Sequence, residues 1–212
     1  MVVEQYGRLR RCELLLTKYK THLKNIRFIL FSSWVILVAL MTSCIQVKGF
    51  NNDYKRLSDE EKKSVVFVEE SKKICDLPQD SATIFAVNGK QLRECLKEND
   101  TSVVYMWGPN CKAEHCILIA ACQEYCDTRG YKLYVVADYY EMEVMNAQNV
   151  ADEPILIANH YYYDRLYANA LMRLFRADLL GREPSKEETG WCRFMIFNGD
   201  QLVEYRSNLY DM

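Results

Sequence analysis

The sequence predicts an α/β body over residues 83–212, a central mixed sheet flanked by helices. Three observations carry this. From Thr83 to Leu180, runs of β-branched and aromatic residues alternate with stretches that place apolar residues at helical spacing. Clusters of Gly, Pro, Asn and Asp punctuate the changeovers. The chain then finishes on Phe-Met-Ile-Phe, an Asn198-Gly199 turn and Leu-Val-Glu-Tyr, a hairpin signal that adds antiparallel strands to parallel ones.

The elements follow in order. Thr83 to Val87 reads as a first strand, Asn88-Gly89 as a turn, and Lys90 to Lys97 as a helix with Leu92, Cys95 and Leu96 on one face. Val103 to Met106 is a buried strand, and a right-handed crossover would make it a parallel neighbour of the first. A helix is expected from Cys111 to about Thr128, stopped by Arg129-Gly130. Tyr131 to Ala137 is a strong strand, parallel to Val103–Met106. Glu141 to Asn149 reads as a short helix and Pro154 to Ala158 as a short strand. Tyr161 to Leu180 reads as one long amphipathic helix capped by Gly181, with Arg165, Arg173 and Arg176 off its apolar face.

Composition sets the class. The chain of 212 residues is 50% hydrophobic and 12% aromatic, which is globular and not disordered. Its charge is uneven. Residues 1–27 hold seven Lys/Arg against Glu4 and Glu13, residues 28–43 hold no charge, and the rest is net acidic. An acidic body argues against nucleic acid as a partner. The basic stretch and the apolar run Phe28 to Met41 form a targeting segment with the length of a signal-peptide core. That run ends in Leu-Met-Thr-Ser-Cys44, and small residues before a cysteine resemble a bacterial lipobox, which would make Cys44 the site of lipid attachment. An uncleaved signal anchor is the alternative. Residues 1–43 are thus read as signal peptide or anchor, and 44–82 as a polar tether in which Ser58 and Glu61 form a capping-box pattern. Either way the body is expected in the cell envelope, membrane-anchored on the extracytoplasmic side.

The most informative stretch is Ser102 to Cys116. An apolar strand leads to Trp107, then Gly108, Pro109 and Asn110 turn the chain, and Cys111 follows where a helix is expected to begin. At a helix N-terminus the unpaired N–H groups and the macrodipole favour an anion, so a cysteine there loses its proton more readily. Cys116 lies five residues on. Positions five apart point about 140° away from each other on a regular helix, so a Cys111–Cys116 bond requires that the first turn bulge.

The segment Trp-Gly-Pro-Asn-Cys followed by His-Cys resembles the active site of thioredoxin-like proteins, in particular membrane-anchored thiol–disulfide oxidoreductase lipoproteins of Bacteroidetes-type bacteria. The resemblance implies a thioredoxin-like sheet with a helical insertion before the C-terminal hairpin. It implies a redox-active pair in which Cys111 attacks and Cys116 resolves, with Trp107, Pro109 and His115 beside it. Four residues separate the two cysteines where the family has two. The family also places a cis-proline directly before the hairpin, where this chain has Trp191, Cys192 and Arg193. Cys192 is then a candidate third partner, and Pro154 an alternative cis-proline. The implied substrates are thiols or disulfides of exported proteins, with no cofactor. Cys122 and Cys126 complete no familiar zinc spacing, so no metal is expected. The alternative function is a catalytically degenerate thioredoxin-like module that binds a peptide or another envelope protein. Tyr161, Tyr162, Tyr163 and Tyr167 either line a peptide-binding surface for it or cap the insertion.

Overall fold

The computed structural model describes residues 49–80, 82–113, 116–189 and 193–210, all within one compact unit of the chain. The readings of residues 1–43, Cys44, His115 and Cys192 fall outside them. The protein is α/β, as expected. Seven strands form one mixed sheet: β1 (Val65–Phe67), β2 (Ile84–Val87), β3 (Thr101–Trp107), β4 (Lys132–Ala137), β5 (Leu156–Ala158), β6 (Phe194–Asn198) and β7 (Gln201–Arg206). Their order is β1-β2-β5-β4-β3-β6-β7. The first five are mutually parallel, β6 runs antiparallel to β3, and β7 closes the hairpin.

The period-two alternation of side chains divides the core into two layers. Val103, Tyr105 and Trp107 of β3 face one layer, while Val104 and Met106 face the other. The first layer is covered by α3 (Ile119–Asp127) and α4 (Met142–Gln148), through Ile119, Cys122, Cys126 and Met145. The second is covered by α2 (Gly89–Leu96) and α6 (Ala168–Leu180), through Leu92, Leu96, Phe175 and Leu179. Two shorter helices, α5 (His160–Tyr163) and α7 (Lys186–Thr189), flank α6 in sequence.

Val103–Met106 and Tyr131–Ala137 do pair in parallel, but Thr83–Val87 is not their neighbour. Strands β5 and β4 lie between β2 and β3. Ile155 through Ala158 are all buried, and so short an apolar run is sheltered on both faces only inside the sheet. The expected polar tether is, from Gly49 onward, part of the body. Its Ser58 capping box starts α1 (Asp59–Lys63), and Val65, Val68 and Ile74 pack into the core.

Asn88-Gly89 is no free turn. Asn88 caps α2, with its side chain accepting from the Gln91 N–H at 2.9 Å and the Gln91 side chain accepting from the Asn88 N–H. A Cβ on Gly89 would run into the backbone of Phe175 and Leu179, so α2 and α6 approach at a distance that only glycine permits. The long helix expected over Tyr161–Leu180 is two. Asp164 takes a left-handed conformation, φ 49°, and Leu166 to Ala168 pair with Phe50 to Asn52 instead of continuing a helix. Among the described residues no peptide bond is cis, which removes Pro154 as a cis-proline. A disulfide that the sequence left unassigned joins Cys75 to Cys95 with Cα atoms 5.3 Å apart, tying the segment after β1 to α2.

Candidate functional site

The parallel strands β3 and β4 end on the same edge of the sheet, and β6 starts there because it runs the other way. In open α/β sheets this edge is where ligands bind. Leaving β3, the chain turns at Gly108, whose carbonyl accepts from the Cys111 N–H at 3.0 Å. No helix begins there. The next one, α3, starts at Ile119, its N-cap Leu118 contributing no side-chain cap. The expectation that Cys111 occupies a helix N-terminus, with the macrodipole acting on it, is therefore corrected.

The same irregular path resolves the spacing problem. Released from helical geometry, residues 111 and 116 bring their Cα atoms to 5.8 Å and share a disulfide. A turn in which the Cys116 N–H donates to the Ala113 carbonyl at 2.9 Å aids the approach. Both cysteines are half-buried. Two tyrosines hold the loop to the body. The Asn110 N–H donates to Tyr139 Oη at 3.0 Å, and Tyr105 Oη donates to the Ile117 carbonyl at 2.9 Å. Burial raises the pKa of both phenols, so Tyr105 keeps the proton that it donates, while Tyr139 accepts as a neutral hydroxyl.

Cys111, unlike Cys116, faces a polar cavity of about 340 Å³, lined also by Asn110, Asp138, Arg176 and Arg193. Arg193 Nη1 donates to Asp138 Oδ2 at 2.7 Å and to the Met106 carbonyl at 3.3 Å. The pair is about four-fifths buried on each side. The backbone fixes it: the Met106 N–H donates to the Arg193 carbonyl, and the Asp138 N–H to the Trp107 carbonyl. A Cβ placed on Gly108 would lie 3.5 Å from Cys111 Cβ, 3.6 Å from Asp138 Oδ2 and 3.7 Å from Arg193 Nη1. Disulfide, carboxylate and guanidinium thus converge beside Gly108, at ordinary contact distance from the point that a Cβ would occupy.

Of the sequence-predicted residues, Cys111 and Cys116 are brought together and Pro109 is buried in the turn between β3 and Cys111. Trp107 is 2% exposed and packs in the core on the α3 side. Asp138, Arg176 and Arg193 were missed as site residues. Asp138 carried a signal, a lone acid directly after a strong apolar strand, while Arg193 becomes readable only once β6 is known to enter beside β3. Cys122 and Cys126 remain free thiols inside α3, and burial pushes both up to about 12. Among the described residues no cluster of His, Cys, Asp and Glu is arranged to hold a metal ion, and no helix is long and apolar enough to cross a membrane. No protein-family model, curated protein or solved structure matches the chain.

Proposed function

We propose that this protein is a membrane-tethered, thioredoxin-like thiol–disulfide exchange protein that acts on exported proteins. One observation carries the reading: a disulfide between half-buried Cys111 and Cys116, on a non-helical loop at the sheet edge, opening onto a polar cavity with a fixed Asp138–Arg193 pair. A disulfide serving only to brace the fold needs neither that access nor those charges. The parallel β3–β4 pair followed by the β6–β7 hairpin fits the thioredoxin-like resemblance, and β5 beside β4 departs from the strand order expected of it.

The exchange balances as follows. A substrate thiolate attacks Cys111 Sγ, the Cys111–Cys116 bond breaks, and a substrate–Cys111 mixed disulfide forms with Cys116 leaving as thiolate. A second substrate thiolate then attacks the substrate sulfur and Cys111 leaves. The substrate dithiol has lost two electrons and the Cys111–Cys116 pair has gained them. Run backwards, the same steps reduce a substrate disulfide. Arg193 favours Cys111 as the departing thiolate, and Asp138 holds Arg193 in place. The second disulfide, Cys75–Cys95, suits an oxidising compartment outside the cytoplasm, and Cys44 provides the lipid tether.

The test is the redox equilibrium of the full chain against glutathione, read by alkylation and peptide mass spectrometry. Cys111–Cys116 should open at a potential above roughly −300 mV, where exchange-active pairs lie. Cys116→Ser should accumulate mixed disulfides through Cys111. A pair that stays closed below that potential, with nothing trapped by Cys116→Ser, leaves a brace and a peptide-binding module in place of an exchanger.

A further inference from the structure

Aromatic residues around α5 form a cluster apart from the Cys111 cavity, with Tyr54 and Phe67 packing on one layer of the sheet core and Tyr163 on the other. Tyr54, Tyr161 and Tyr167 line a second, larger cleft of about 780 Å³ that shares no lining residue with the first. This volume is in the range of small-molecule sites. Its floor is His160, 4% exposed, with the ring of Tyr54 at 4.7 Å and that of Tyr161 at 4.2 Å. Its rim is aromatic and cationic. Tyr161 is 65% and Tyr167 41% exposed, and Lys55, Lys62 and Arg165 stand around them with Asp164; Lys62 pairs with Asp59 and Arg165 with Asp164, each at 3.7 Å, which leaves the rim net positive.

Two features set this cleft apart from an ordinary aromatic cap. The first is His160 Nδ1, which is buried and has no hydrogen-bond partner among the described residues. Buried polar atoms are almost always paired, and an exception in a cavity wall calls for a partner that enters the cavity. Burial, together with the charge of Lys55, holds this imidazole down to about 4. It is neutral at ordinary pH and offers a hydrogen bond, not a charge. The second is that the largest ring of the cluster by exposure, Tyr161, lies in water although its neighbours are packed. The cost of that exposure is recovered when a flat apolar group covers the ring.

We infer that this cleft binds a planar aromatic molecule carrying an anionic group, a class that includes aryl carboxylates and nucleoside phosphates. The ring stacks on Tyr161 and Tyr167, a polar atom on it pairs with His160 Nδ1, and the anion meets Lys55 and Arg165 at the rim. Shape and charge both select: a bare anion lacks the stacking, and a neutral ring lacks the ion contacts.

Titration calorimetry on the full chain in non-ionic detergent tests this with two probes, 4-hydroxyphenylacetate and adenosine monophosphate. Cyclohexylacetate and inorganic phosphate serve as anions without an aromatic ring. At least one aromatic probe should bind one to one and at least about tenfold more tightly than its non-aromatic control, and which of the two does so tells aryl carboxylate from nucleoside phosphate. Lys55→Ala with Arg165→Ala should weaken binding about tenfold, as two exposed ion contacts imply, and His160→Phe by about five- to tenfold through its lost hydrogen bond. Tyr161→Ala should also weaken binding; because the ring touches His160 and Phe67 as well as solvent, circular dichroism and a thermal melt establish that the variant is folded before its affinity is read. Aromatic probes that bind no better than their controls overturn the inference, as does binding that the Tyr161 and Lys55/Arg165 variants leave unchanged. Neither result bears on Cys111 and Cys116, whose exchange is read separately.

Discussion

Replacing Arg193 with Met should raise the pKa of the reduced Cys111 thiol. Arg193 Nη1 and Cys111 Cβ lie 3.7 Å and 3.5 Å from one point beside Gly108, so the two atoms are at most about 7 Å apart, and the charges are taken at that separation. Two unit charges at that distance attract by about 2.4 kcal/mol at an effective dielectric of ~20 and by about 0.6 kcal/mol at ~80. The side chain is 22% exposed, so the value falls between those limits. This corresponds to a rise of about one pKa unit. Asp138, freed of its partner, pushes the same way because its carboxylate repels a thiolate. The assay is the rate of iodoacetamide reaction at Cys111 against pH, in fully reduced protein, with labelled peptides resolved by mass spectrometry. At pH 7 the Arg193→Met rate should fall about five- to tenfold, and its inflection should move to higher pH. Arg173→Met, which removes a surface partner of Glu183, is the control and should leave the profile alone. An Arg193→Met profile that overlays the wild type refutes the claim that the cavity charges act on Cys111.

Two further outcomes test the frame that holds the site. Gly89→Ala should destabilise the protein by about 2 kcal/mol in urea unfolding, because the added methyl meets the rigid backbone of α6 at Phe175 and Leu179; the usual gain for Ala over Gly in a helix has the opposite sign, so the direction alone decides. Glu188 accepts two hydrogen bonds from Arg182 and one from the Ser185 N–H, which hold its carboxyl down at about 2 against an ordinary 4.5. A carboxyl more acidic in the folded state stabilises fully above its unfolded value and loses that contribution as pH falls, so unfolding free energy should drop by about 2 kcal/mol between pH 5 and 2. The figure is discounted because Arg182 is half exposed. Glu188→Gln should flatten that segment of the stability curve.

The sequence by itself determined the strongest strands, because period-two runs bounded by turn residues are local. Val103–Met106, Lys132–Ala137 and the hairpin around Gly199 are β-branched or aromatic runs bounded by turn residues, and they form the strands expected of them. It also put two cysteines at the end of β3, where the Gly108-Pro109-Asn110 turn breaks regular structure. It could not say which strands are neighbours. β5 slots between β2 and β4 because a three-residue apolar strand needs cover on both sides, a requirement met only by elements far away in the chain. Nor could it say that α3 starts at Ile119, since residues 111 to 118 contain helix-compatible types and nothing local forbids a helix there. The disulfide, the Tyr105 and Tyr139 anchors and the sheet edge decide that path together. The same holds for the Asp138–Arg193 pair. Its members are 55 residues apart, and only the antiparallel entry of β6 beside β3 puts the arginine where the acid and Cys111 already are. Local preference sets the elements, whereas charges, cavities and pairings between distant segments exist only once the chain has closed on itself.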